Sequence, residues 1–266
     1  MVVSMAETIS DARSDAAGDT LTGQFVRNVA AACEGPVAAM GGVVRRTPEV
    51  SIAVLDRPFG WLHGATLLRP LTAERVDPVL EQVEHAAAGG AGEVLLWSAW
   101  PTPDLRERGW QLHGYPTFLV LPPGGLAGPA PQAEVSEVTD TEGVRVYERI
   151  VVEGYPIPEL QPYRPGCYLD ERILAERRQR MWVAWHEGEP AAIGTLFTEA
   201  GIAHLALGVT LPHARRHGLW KALVHERVAS ASGLPVGVIA SDMSRPGLEE
   251  LGFLSINRFT LWGLSR

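Results

Sequence analysis

The chain is poor in cysteine, in lysine and in long apolar runs. Its 266 residues hold two cysteines, Cys33 and Cys167, far apart in the sequence. That excludes a disulfide scaffold and fits reduced thiols in a cytoplasmic protein. Lys221 is the one lysine among 23 basic residues, so arginine carries the positive charge, which suits fixed ion pairs and phosphate contacts. Positive charge is itself short. Thirty-one acidic side chains leave a net charge of −8 and a pI near 5.5. A general nucleic-acid binder would be basic, so nucleic acid is not an expected partner. No apolar run approaches the roughly 20 residues that cross a bilayer, so no membrane association is expected. Residues 1–20 lack the apolar core of a signal peptide and carry Asp11, Asp15 and Asp19 among Ala and Ser. They read as a disordered tail.

What is present fits a globular protein of one large or two ordinary domains: 46% hydrophobic residues and a mean hydropathy of +0.03. The densest Pro/Gly segment, residues 123–132, reads as a linker. Before it, helical spacing covers residues 21–34, with Pro36 ending the helix, and again residues 71–88, with Thr72 as its cap and Gly89 and Gly90 as its stop. Residues 37–44, 50–55, 61–68, 93–97 and 115–121 read as strands, Gly64 marking a bulge. After it, residues 140–152 read as a helix capped by Asp140 or Thr141. Residues 181–186 and 191–198 form a hairpin around Glu187-Gly188. Residues 236–240 are a buried strand, 246–251 a short helix and 254–264 one final strand.

The most informative stretch is residues 207–223. An apolar strand, residues 204–209, is stopped by Pro212, which cannot donate to a ladder. Arg215 and Arg216 follow, and Gly218 opens a helix reaching about Ser230. Strand, basic turn and glycine at a helix N-terminus form a phosphate site, because the first N–H groups lack internal partners and the dipole favours an anion. An ordinary strand-to-helix turn with two solvated arginines would have the same local pattern.

Pro212-x-x-Arg215-x-x-Gly218 followed by Leu219-x-x-Ala222-Leu223 resembles the acyl-CoA signature of the GNAT superfamily of N-acyltransferases. Leu248-Glu249-Glu250-Leu251-Gly252-Phe253 is similar to the Tyr-x-x-Leu-Gly-Phe element that follows the fifth strand of that family. The resemblance covers residues 143–264. It implies an α+β fold with a mixed, mostly antiparallel sheet flanked by helices, and transfer of an acetyl group from acetyl-CoA to an amine. The amine could be a small molecule, a peptide N-terminus or a lysine. The resemblance gives pyrophosphate binding to backbone N–H groups of Arg216, His217, Gly218, Leu219 and Trp220, with Arg215 beside them. It gives the oxyanion to backbone N–H groups of Leu207, Gly208 or Val209. Two positions depart from the family pattern. Trp220 stands where a small residue is usual, and Leu248 stands where the acid tyrosine is usual. The first is compatible with CoA only if the side chain points away from it. A non-catalytic CoA-binding or ligand-free scaffold or sensor is therefore the alternative.

For the base, the candidates are His204, Glu199, Glu153 and Glu159. For the acid, Tyr155, Tyr163, Tyr168 or Ser241 could replace the missing phenol. His213 and His217 have helical i,i+4 spacing but no third ligand, so no metal is expected. The Pro-rich segment 155–166 is where acceptor selectivity would be written. Finally, Leu105-Arg106-Glu107-Arg108-Gly109-Trp110 parallels the 248–253 segment, and each runs on to a strand with matching Thr and Leu (Thr117 and Leu121, Thr260 and Leu264). This reads as a repeat of a half-domain. The expected organisation is a degenerate GNAT-like module at 21–122 and an acetyltransferase module at 133–266. No glycine lies between Leu68 and Thr72, so the first module is not expected to bind CoA. A homodimer is left open.

Overall fold

The computed structural model describes residues 20–57, 62–88, 92–155 and 157–265. The tail expected at 1–20 therefore lies outside the described residues except for Thr20, and the Gly89-Gly90 stop lies outside them as well. Thr20 is an N-cap: its hydroxyl accepts the N–H of Gly23 at 3.1 Å. The helix it opens, α1, is Leu21–Ala39 and buries Phe25, Val26, Val29 and Ala30. Pro36 does not end this helix. It sits in the last turn, where a missing N–H costs one bond, and its carbonyl still accepts the N–H of Met40 at 3.1 Å. The strand expected from residue 37 accordingly starts later, as β1, Val43–Arg46.

Strands β2 (Val50–Val54) and β3 (His63–Leu67) follow, paired in regular register through Ala53↔Gly64, so Gly64 makes no bulge. Helix α2 is Ala73–Ala87, and Thr72 occupies its N-cap position without a side-chain cap bond. Then come β4 (Val94–Ser98), β5 (Gln111–Gly114) and β6 (Thr117–Leu121). The second half runs β7 (Glu134–Glu137), α3 (Thr141–Gly154, capped by Asp140), β8 (Gln179–His186), β9 (Glu189–Glu199) and β10 (Ile202–Thr210). It closes with α4 (Leu219–Ala229), β11 (Val236–Ala240), α5 (Arg245–Glu250), β12 (Leu254–Arg258) and β13 (Thr260–Leu264).

The single final strand expected over 254–264 is two strands in two sheets. The six-stranded sheet has the order β1-β2-β3-β4-β13-β5, and the seven-stranded sheet β12-β6-β11-β10-β9-β8-β7. Each half of the chain thus lends one strand to the other's sheet: β6 lies between β11 and β12, and β13 between β4 and β5. The crossing point is a direct contact, the N–H of Phe259 donating to the carbonyl of Pro116 at 2.9 Å.

The short sequence repeat has the same backbone in both copies. Trp110 N–H reaches the Leu105 carbonyl at 3.2 Å, and Phe253 N–H the Leu248 carbonyl at 3.1 Å. Gly109 and Gly252 both take positive φ, 85° and 96°, which a side chain would disfavour. The repeat is therefore structural, and the fold is α+β, two modules joined by strand exchange. Aromatic packing seals the junction. The Phe25 ring stacks on Phe118 with centroids 4.0 Å apart and meets Phe259 edge-on at 6.0 Å. Gly237 on β11 makes room, since a Cβ there would lie 2.5 Å from the Phe25 ring. Asn28 of α1 donates to the carbonyls of Phe197, Glu199 and Ile202, fastening α1 to the end of the β9–β10 hairpin.

Candidate active site

Strands β10 and β11 run parallel but pair only at Ala203↔Val236 and His204↔Gly237. Beyond that they diverge and open a cleft in the seven-stranded sheet. On its other edge β10 is bulged. Ala206 pairs with Thr195 and Val209 with Ile193, so Leu207 and Gly208 together oppose Gly194. Leu207 has φ of 41°, a left-handed conformation uncommon for a leucine. A bulge disrupts the ladder and re-aims the backbone, here beside the cleft.

Arg227 of α4 fills the space behind the bulge. It is 2% exposed and packs where Gly194 has no side chain. Its Nε donates to the carbonyl of Leu223 at 2.9 Å, and its Nη1 to those of Thr195 at 3.2 Å and Ala206 at 3.3 Å. On the opposite side the Tyr155 hydroxyl donates to the Gly208 carbonyl at 3.3 Å. Burial pushes the Tyr155 phenol up to about 12, so it keeps its proton at neutral pH.

The chain leaves β10 through a short 3-10 turn, Pro212–Ala214, and reaches α4 through Arg216 and Gly218, with φ of 68° and 80°. Gly218 is the N-cap, and a Cβ there would come within 3.2 Å of Pro131 in the Pro/Gly segment. The Arg215 Nε is held by the Thr210 carbonyl at 3.2 Å. His213 lies in the 3-10 turn and His217 in the loop, so the two do not share a helix face. The His217 ring instead lies 4.2 Å from that of His186. Among the described residues no cluster of His, Cys, Asp and Glu could hold a metal ion.

A cavity of about 990 Å³ runs from this loop through the cleft to α1. Of the residues singled out in the sequence, Tyr155, Tyr168, His204, Leu207, Gly208, Val209, Arg215, Trp220, Ser241 and Leu248 line it. Arg216, His217, Gly218 and Leu219 do not. Trp220 points inward. Its ring edge would lie 3.2 Å from a Cβ on Gly247, and its Nε1 3.9 Å from one on Gly208, so the indole crosses the cleft from α4 toward α5. Leu248 is 2% exposed and also faces the cavity.

His204 is buried against Phe25, ring centroids 4.9 Å apart, and its Nδ1 has no partner. Burial first, and the Arg227 charge second, lower its pKa to about 3. None of the carboxylates considered with it lines the cavity: Glu199 pairs with Arg178 at 2.9 Å, Glu153 pairs with Arg149 at 3.3 Å, and Glu159 is exposed. Tyr163 is likewise engaged, donating to Glu148 at 3.1 Å. Glu148 is fully buried and accepts the N–H groups of Gly166, Tyr168 and Leu169 at 2.8, 2.7 and 2.8 Å. It pins the segment that follows the prolines and so shapes the cavity wall. Two features of the site escaped the sequence reading. One is Arg227, whose signal was a charge four residues after Leu223 on the apolar face of a helix. The other is the contribution of the first half, where α1 supplies Val29, Cys33 and Pro36 to the wall.

No family model matches the chain, and no curated protein does. Solved structures do. A GCN5-related N-acetyltransferase from Kribbella flavida matches at 18% identity and a TM-score of 0.61, over 90% of this chain and 94% of that one. A GCN5-related N-acetyltransferase-like protein from Streptococcus suis matches at 14% identity and a TM-score of 0.53, over 93% and 100%. A tandem GNAT protein from the clavulanic acid biosynthesis pathway matches at 14% identity and a TM-score of 0.50, over 94% and 96%. At such identities the likeness establishes architecture: this chain has the GNAT fold, built twice in tandem.

Proposed function

We propose that the protein is an N-acetyltransferase that moves the acetyl group of acetyl-CoA to an amine by direct attack on the thioester. The observation that carries this reading is the bulged β10, opening beside β11 and leading straight into the basic loop at the N-terminus of α4. The N–H groups of the first helical turn lack internal partners there, and Arg215 and Arg216 add charge, so the loop fits a pyrophosphate. Bound acetyl-CoA supplies the thioester whose C–S bond breaks as the amine nitrogen forms the new C–N bond. In this reading the N–H of Val209 or Gly208, beside the bulge, meets the oxyanion of that step. Tyr155 takes the role left open by Leu248: its protonated phenol lies at the bulge and, on leaving the Gly208 carbonyl, can give its one hydrogen bond to the departing sulfur. A histidine held near pKa 3 is a weak base at neutral pH, so this reading gives His204 a packing role under Phe25 and passes the amine proton to water in the cavity.

In this reading residues 133–266 carry the reaction and residues 21–122 supply a wall of the acceptor pocket and a lent strand, with 123–132 as the connection. The free thiols Cys33 and Cys167 accord with a reducing, cytoplasmic setting. One observation favours a second reading. The Trp220 indole lies across the cleft where the pantetheine arm would pass, as expected of a scaffold that has lost CoA. Calorimetric titration with acetyl-CoA, repeated with Trp220→Ala, separates the two. Saturable binding by the wild-type chain, followed by turnover on an amine panel, supports the transferase. Binding that appears only in the variant supports the scaffold, and no binding by either folded protein ends the acyl-transfer reading.

A further inference from the structure

The inner cavity holds one buried cationic side chain in its lining, Arg227. Of the described residues lining it, Asp242 is the only acidic one, and that side chain is 76% exposed at the mouth, near Arg258 at 3.7 Å. The other polar side chains include Tyr147, Tyr155, Tyr168, Gln179, Thr195, His204 and Arg227, none of them a carboxylate. Tyr147 and Thr195 satisfy each other, their oxygens 2.6 Å apart. Arg227 is different. No carboxylate pairs with it among the described residues, and three backbone carbonyls take up only its Nε and Nη1. Its Nη2 has no protein acceptor among those residues and lies 3.8 Å from where a Cβ on Gly208 would be, at the bulge itself.

A buried cation without a counter-ion is costly, and carbonyl dipoles offset only part of that cost. Burial first, and this charge second, hold the pKa of His204 low. An ammonium entering this space would meet repulsion. A carboxylate would neutralise the guanidinium and accept a charge-assisted hydrogen bond from Nη2.

We propose that the acceptor is an amine that also bears a carboxylate, with Arg227 as the counter-ion for that carboxylate. This rests on the acyl-transfer reading for the word acceptor, though the anion site itself does not. It makes polyamines and other purely cationic amines poor ligands.

The test uses the full chain and three probes of one size and different charge: phenylacetate, phenylacetamide and phenethylamine, titrated calorimetrically near neutral pH. Phenylacetate is expected to bind at least about tenfold more tightly than either other probe, the scale of one charge-assisted bond. Arg227→Gln should erase the difference and Arg227→Lys should keep part of it. If Arg227→Gln does not fold, the three probes on the wild-type chain decide alone. Equal binding of phenylacetate and phenylacetamide, tighter binding of the amine, or no binding of phenylacetate would each overturn the proposal. Acetyl-CoA is titrated separately. CoA binding without a preference for phenylacetate removes the charge assignment alone. A phenylacetate preference without CoA binding leaves the anion site and removes the acyl-transfer reading.

Discussion

Arg227 occupies the space that a side chain at Gly194 would need: a Cβ built there would lie 2.7 Å from the guanidinium carbon. The two residues come from different elements, α4 and β9, and each explains the other. Three carbonyl contacts prevent the guanidinium from moving aside. Gly194→Ala should therefore overpack the site and destabilise the chain by about 1–3 kcal/mol. Urea unfolding measures this. A neutral effect would mean that Arg227 can leave its carbonyls easily.

The loop before α4 gives a second prediction, conditional on CoA binding by the wild-type chain. Gly218→Trp should remove that binding, because Gly218 holds a φ of 80° that a side chain disfavours, and a Cβ there would already lie 3.2 Å from Pro131. Arg215→Ala should weaken CoA more than Arg258→Ala, since Arg258 donates to the Tyr115 carbonyl at 2.8 Å, away from the loop. Calorimetry on folded variants checks both. Equal losses for the two arginines would move the phosphate site elsewhere.

His204 makes stability depend on pH. Its pKa is about 3 in the fold against an ordinary value of 6.5, so the unfolded chain binds the extra proton first. Stability from this group is complete above about pH 6.5 and is lost as pH falls toward 3, by up to about 1.4 kcal/mol per unit. The lowered pKa of His225 acts in the same direction and remains in a His204→Leu variant. Urea unfolding at about pH 7 and pH 5 should show a smaller difference in that variant than in the wild-type chain. The same slope in both would mean that His204 titrates normally.

Glu148 supports the segment after the prolines through three backbone N–H groups and the Tyr163 hydroxyl. Glu148→Gln replaces an acceptor-only group with one that also carries donors, leaving buried N–H groups unmatched. A loss of roughly 2–4 kcal/mol is expected, with faster proteolysis within residues 158–169 than elsewhere. Uniform proteolysis would show that the segment is held by other contacts.

Much of this protein follows from local sequence alone. The strand, basic loop and helix around Gly218, the hairpin at Glu187-Gly188 and the strand at 236–240 have apolar period and turn chemistry that need no distant partner, and they lie within a residue or two of their expected bounds. The repeat at 105–110 and 248–253 was legible for the same reason, since each copy closes its own glycine turn. Residues 254–264 were not legible as two strands. Extended backbone of the same composition suits either sheet, and the change of sheet at Phe259 depends on Pro116 from the other half. The direction of Trp220 was undecided in sequence, because both faces of the first turn of α4 allow an indole; Gly208 and Gly247 leave it space on one side. The burial of His204 under Phe25 and the unpaired charge of Arg227 likewise belong to the tertiary structure. A residue type fixes which chemistry a side chain can do, but its solvation and charge partners come from chain segments that only folding brings near.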